Sequence, residues 1–216
     1  MHIPPFDNRN AAIVGRDDPR VPLCYFNILR LGRGESVISD VPGYETCIVP
    51  ATGTVEVGID GEVFGGIGKR RLNVWDGEPE GVYVPLGVAA TVVCASDRAE
   101  IFVAGARTDR RHQPFAVREG DIDPIQYGSD DTKTHRKIKH ILGQKHHGRV
   151  GRLLVSCAAT GMMLSLSMLL RPPQRAARSP HAPVAGRWIA LPLAHRATTA
   201  QLRRGHRVPT SSRRHT

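Results

Sequence analysis

Between Tyr44 and Gly105 the sequence repeats one pattern: a short apolar, β-branched run followed by a glycine-bearing turn. The runs Glu45–Ala51, Thr54–Ile59, Glu62–Ile67, Val82–Pro85, Ala90–Ala95 and Glu100–Gly105 have the length and residue types of strands. Gly53, Asp60-Gly61, Asp76-Gly77 and Pro85-Leu86-Gly87 stand between them as turn chemistry. Strands packed this closely, with no helical period between them, predict an all-β, cupin-like antiparallel barrel or sandwich.

The formal charge of +10 suggests nucleic acid until it is located. All 20 acidic residues lie at or before Asp131, and residues 1–155 also hold 20 of the 30 lysines and arginines, so this part is neutral. The excess sits in residues 156–216, which contain arginine but neither acid nor lysine. It says nothing about the barrel, and for the tail it implies at most non-specific contact with nucleic acid.

Cys24, Cys47, Cys94 and Cys157 show no paired spacing, and three of them fall inside apolar runs, which predicts buried reduced thiols in a cytoplasmic protein. MHIPPFDNRNAAIVG has no basic segment followed by an apolar core, so no secretory signal is expected.

Residues 1–19 read as an arm or edge segment, and Leu23–Leu31 as a strand. Ser36–Gly43 reads as a polar loop, Phe115–Val117 as a short strand and Glu119–Pro124 as a helix entry or turn. Thr134–Leu142 fits a strand or a short helical turn, and Leu153–Val155 opens another strand. The expected division is an arm over 1–19, a barrel over 20–125, a connector with the first strand of an incomplete second barrel over 126–155, and a poorly structured basic tail over 156–216.

Several features have ordinary readings. Leu153–Leu170 is 18 residues without a charge, at the lower margin of a membrane span, but Ser, Thr, Cys and Gly dilute it and no span is expected. Lys69-Arg70-Arg71 reads as a solvated face, and Arg203-Arg204 belongs to the arginine tail. His146-His147 point different ways in a strand or loop, and His181, His195, His206 and His215 are isolated.

Glu45, the run Ile48-Val49-Pro-Ala-Thr-Gly53, the strand after it and the later turn Val82-Tyr-Val-Pro-Leu-Gly87 together resemble the two blocks of a cupin barrel. Cupins commonly bind metal through His-x-His, a Glu and a later His. No histidine lies in Ser39–Pro42 before Glu45 or in Val88–Thr91 after Gly87, so this barrel is expected to be a scaffold without metal. The ordered series Glu45–Val57, Gly68–Pro79 with Trp75 in a usual phenylalanine position, Val82–Gly87, Arg136–Leu142 and Arg152–Val155 resembles the bacterial 5-deoxyglucuronate isomerase family of myo-inositol catabolism, over roughly residues 23–155.

That resemblance implies a bicupin converting 5-deoxy-D-glucuronate, a small-molecule sugar acid, to 2-deoxy-5-keto-D-gluconate; the residues leave open whether it forms a homo-oligomer. It also implies a divalent metal, zinc or manganese, held in the second barrel by an H-x-H-D motif soon after the R-L-L-V strand and by a later Glu and His. Ser156 onward does not match this pattern and holds no His-x-His, so neither metal ligands nor catalytic residues can be assigned. The abrupt loss of acids and lysines predicts a shifted reading frame and an impaired enzyme. Two other classes fit the residues: a metal-free sugar-binding or assembly module, and a basic-tailed nucleic-acid-associated protein.

Overall fold

The computed structural model describes residues 8–73, 76–129, 131, 136–160 and 163–168. Its regular structure is thirteen strands and two single 3-10 turns. In chain order the strands are β1 (Cys24–Gly32), β2 (Ser36–Ser39), β3 (Tyr44–Thr52), β4 (Val55–Ile59), β5 (Glu62–Ile67), β6 (Gly81–Val84) and β7 (Ala90–Cys94). Then come β8 (Arg98–Arg107), β9 (Phe115–Val117), β10 (Pro124–Tyr127), β11 (Arg136–Leu142), β12 (Val155–Thr160) and β13 (Met163–Met168). Every strand pair is antiparallel, and the strands form three sheets in the orders β1-β8-β3-β6-β9, β2-β7-β4-β5 and β10-β11-β12-β13.

The five-stranded sheet and the sheet containing β4 and β7 face each other as the two walls of the expected cupin-like barrel. Alternation decides what fills it. Leu29 and Leu31 of β1, Ile48 of β3, Val82 and Val84 of β6, and Ile101 and Val103 of β8 meet Val55, Val57, Ile59, Val92 and Cys94 from the opposite wall. The tight β4–β5 hairpin follows from Asp60-Gly61. Both residues have positive φ, 48° and 84°, as a two-residue turn matching the right-handed twist of strands requires.

The other face of the five-stranded sheet is buried too. Cys24, Phe26, Cys47, Val49, Tyr83, Phe102 and Ala104 point away from the barrel interior and form a second core with Val14, Ile122, Ile141, Leu142, Leu153 and Val155. Burial on both faces explains why β3 and β6 read as unbroken apolar runs rather than as alternating ones.

The structure adds detail to several local readings and decides one between its two alternatives. Ser36–Ser39 within the expected loop is an edge strand paired with β7; its residues are exposed or half-buried, so it carries little apolar signal. Thr134–Leu142 resolves to a strand, β11, and Pro124–Tyr127 is an exposed strand paired with it. Strand β12 runs on past Val155 and pairs with β13, within the stretch expected to lack packed structure. The arm contributes an edge contact, a bridge between Val14 and Phe26. Trp75, the four isolated histidines and Arg203-Arg204 lie outside the described residues. No helix among the described residues is long and apolar enough to cross a membrane, and Leu153–Leu170 contributes strands β12 and β13.

Candidate functional site

Glu45 is the most constrained polar side chain. It is fully buried, and strand alternation puts it on the outer face of β3 with Cys47 and Val49, away from the barrel interior. One carboxylate oxygen, Oε2, accepts from the Tyr83 hydroxyl at 2.7 Å and from the Gly151 amide at 2.7 Å. The other, Oε1, accepts from the amides of Arg152 and of Leu153, the latter at 2.8 Å. A buried carboxylate needs such donors to offset its lost hydration. Gly151 makes the approach possible: an added Cβ would collide with Thr108 Oγ1 and sit 3.0 Å from both Glu45 oxygens. Burial, then the adjacent Glu45 charge, pushes the Tyr83 hydroxyl well above the ordinary phenol range, so it stays protonated and donates.

Stacked rings continue this anchor. Tyr83 stacks on Phe115 at 5.1 Å, Phe115 stacks on His146 at 5.5 Å, and the Arg149 guanidinium lies 4.0 Å over the Phe115 ring. His146 Nδ1 accepts from the Gly143 amide at 3.1 Å. Burial, with Lys145 and Arg149 nearby, holds His146 below the usual imidazole range. Residues 143–153, which lead into β12, are thus fixed to the barrel by a carboxylate clamp and an aromatic stack.

A second buried carboxylate, Glu80, closes one end of the barrel. It accepts from the Gly68 amide at 2.9 Å and the Glu119 amide at 3.4 Å, with Arg118 Nη1 at 3.4 Å and Lys69 Nζ at 3.8 Å. The Lys69-Arg70-Arg71 run is therefore not uniformly solvated. Arg70 is only 4% exposed and donates to the Gly77 carbonyl at 2.9 Å, while Arg71 is exposed. Arg71 lines an open cleft of about 450 Å³ with Arg30, Thr52, Leu72, Arg98 and Glu100.

The described histidines do not converge. His140 Nδ1 lies 2.6 Å from Ser156 Oγ, His146 is stacked on Phe115, His147 is exposed, and His112 Nε2 is buried without a hydrogen-bond partner. Among the described residues no three His, Cys, Asp or Glu side chains form a group able to hold a metal ion. Among the described residues the donor set does not fit zinc or manganese: the barrel interior is mostly aliphatic, and Glu45 is already saturated by protein donors. Cys24, Cys47 and Cys94 are buried thiols.

Sequence reasoning marked Glu45 but not its partners. Apart from the Tyr83 hydroxyl, they lie 106 to 108 residues further along the chain and are backbone amides, which carry no side-chain signature. Glu80 was legible only as an acid beside an apolar run, G-V-Y-V, a position where a carboxylate must find donors.

An all-antiparallel two-walled barrel with a mostly aliphatic interior and a further sheet on its outer face defines a cupin-like β protein. The sequence model of the KduI/IolB family matches residues 3–163, running past the last motif at Val155. The chain therefore belongs to the KduI/IolB family, the family of 5-deoxyglucuronate isomerase, a family of sugar isomerases. No curated protein matches it significantly. Among solved structures, an IolB-like protein from Salmonella typhimurium LT2 superposes with a TM-score of 0.57 at 20% identity, covering 69% of this chain and 57% of that one. This chain thus spans little more than half the length of that protein. A putative glyoxylate-induced protein from Pseudomonas aeruginosa superposes with a TM-score of 0.49 at 11% identity, covering 79% of this chain and 63% of that one.

Proposed function

We propose that this chain is the scaffold portion of an isomerase converting 5-deoxy-D-glucuronate to 2-deoxy-5-keto-D-gluconate in myo-inositol breakdown, and that as it stands it turns over poorly. Family membership supplies the reaction class. Such a reaction moves a carbonyl and a hydroxyl within one molecule; it needs a proton relay and charge stabilisation but no external oxidant. The observation that carries the scaffold reading is how the packing is divided. The two barrel walls pack a cluster of almost wholly aliphatic side chains between them, which offers a reacting sugar acid no charged group. The buried Glu45 instead grips residues 151–153, at the entrance to β12, and so fixes the segment from which β12 starts. Catalytic groups would then lie in what β12 leads into. We attribute the composition change after Val155 to a shifted reading frame, and we place the protein in the cytoplasm.

An isomerase assay with added manganese or zinc, run beside a full-length homologue, tests the reading. The expected result is turnover near background for this chain. Turnover matching the homologue would overturn the impairment, and activity on unrelated sugars alone would overturn the substrate. Intact-protein mass with gene sequencing across the Val155 codon tests the frame: one uninterrupted frame refutes the shift.

A further inference from the structure

We infer that the cleft at the end of β1 and the start of β8 binds a small oxyanion-bearing metabolite, a carboxylate or phosphate on a polar carbon skeleton. The cleft is built by chain pairing: β1 and β8 are antiparallel neighbours here, with Arg30 opposite Glu100 and Gly32 opposite Arg98. The segment after β5 is drawn over this end by the hydrogen bond from the Gly53 amide to the Arg70 carbonyl, at 2.7 Å. That contact carries Arg71 and Leu72 onto the rim.

The lining charge is unbalanced. Three guanidiniums, on Arg30, Arg71 and Arg98, share the concavity with one carboxylate, Glu100. Glu100 is committed to Arg30, whose Nε donates to its Oε2 at 2.9 Å. Arg71 and Arg98 have no carboxylate partner among the described residues. A concave surface lined by one sign of charge raises the local concentration of the opposite ion, and guanidinium forks match carboxylate and phosphate oxygens in pairs.

The remaining lining suits a small polyol. Thr52 brings a hydroxyl, the buried Ala99 and Leu31 form an apolar floor, and Leu72 stands 74% exposed at the rim. A leucine that exposed contributes nothing to the core, but it can cover the C–H face of a bound skeleton. The volume of about 450 Å³ lies within the range of small-molecule sites. Binding is read without turnover, so the inference stands or falls apart from the isomerase reading.

Isothermal titration calorimetry of the full chain against D-glucuronate, inorganic phosphate and D-glucose tests it. The expected result is saturable binding of glucuronate or phosphate that weakens with added salt, and none of glucose. Glucuronate binding alone identifies a carboxylated skeleton, and phosphate binding alone a phosphorylated one. Arg71 and Arg98 are exposed, so R71A/R98A should fold with an unchanged circular dichroism spectrum and lose affinity by about tenfold or more. R71A and R98A singly serve if the double variant does not fold. Absence of binding by both anions, equal binding of glucose, or undiminished affinity in the folded variants overturns the inference.

Discussion

Replacing Glu45 with glutamine keeps the shape of the side chain and removes its charge, so it isolates what the carboxylate does. In the wild type each oxygen accepts twice: Oε1 from the Arg152 and Leu153 amides, Oε2 from the Tyr83 hydroxyl and the Gly151 amide. Glutamine must place its NH2 at one of these two positions. At the Oε1 position it faces two amide donors that cannot turn. At the Oε2 position Tyr83 can rotate to accept, and only the Gly151 amide is left facing a donor, so this orientation wins. One stranded buried donor costs about 1–3 kcal/mol, and the other bonds fall from charge-assisted to neutral strength. Together these give a destabilisation of about 2–4 kcal/mol. At about 2–4 °C per kcal/mol for a domain of this size, the melting temperature should fall by roughly 5–15 °C. Tyr83→Phe removes one donor while the three amides still serve the carboxylate, and should cost only about 1 kcal/mol. Urea unfolding should show a lower midpoint at unchanged slope. Amide hydrogen exchange at Gly151, Arg152 and Leu153 should accelerate more in E45Q than exchange along β8. If E45Q lies within about 0.5 kcal/mol of wild type, or exchange at 151–153 is unaltered, the clamp does not hold this segment.

Gly151→Ala forces a Cβ against Thr108 Oγ1 and both Glu45 oxygens and should cost about 1–3 kcal/mol; Thr108→Ala in the same chain should recover part of that in thermal melts. His146 is held below its ordinary value of 6.5 by burial and by the positive Lys145 and Arg149, against a smaller opposing effect of Asp121, and its Nδ1 must stay unprotonated to accept from Gly143. Its contribution is therefore complete above about pH 6.5 and is lost as pH falls from there through the lowered folded-state value, because the unfolded chain binds the proton first. Stability measured from pH 7.5 to 5 should fall more steeply in wild type than in His146→Gln, and equal slopes would refute this. A chain ending at residue 125 loses Ile141, Leu142, Leu153 and Val155 from the outer core and should bind a hydrophobic dye and self-associate; a monodisperse, dye-silent product would show that the barrel is sufficient alone.

The barrel strands were legible because their chemistry is local. Β-branched runs ending in Gly53, Asp60-Gly61 or Pro85-Leu86-Gly87 fix both element type and turn, and Glu62–Ile67 and Phe115–Val117 fall where their residues place them. Ser36–Ser39 and Pro124–Tyr127 were not legible. Both lie with largely exposed side chains at the edges of sheets, and their strand character comes from hydrogen bonds to β7 and β11 rather than from apolar content. The burial of Arg70 escaped for a related reason. A K-R-R run signals solvent by composition, and the Gly77 carbonyl, brought alongside by the turn after it, gives the middle guanidinium a partner inside. For the site, one residue was visible and its function was not. Glu45 belongs to a recognisable motif, but strand parity decides which face it serves, and a one-residue shift in that parity would have aimed it into the barrel.

That parity bears on how the family's chemistry can be distributed along the chain. In the five-stranded sheet, even positions of β3 and β6 and odd positions of β8 fill the barrel, and the alternate positions build the outer core against residues 122–155. One sheet thus serves two cores, and the boundary drawn at residue 125 from composition cuts through the second of them. Apart from the Cys94 thiol, the buried cluster of the first core is aliphatic, and such side chains carry neither charge nor exchangeable hydrogen with which to polarise a carbonyl or relay a proton. Among the buried polar groups, the Glu45 carboxylate, the Tyr83 hydroxyl and the amides of 151–153 are consumed in fixing the segment before β12 to the five-stranded sheet. A scaffold of this design gains rigidity exactly where the next strands begin, and catalytic geometry built on β12 and beyond would inherit its position from a carboxylate more than a hundred residues earlier in the chain.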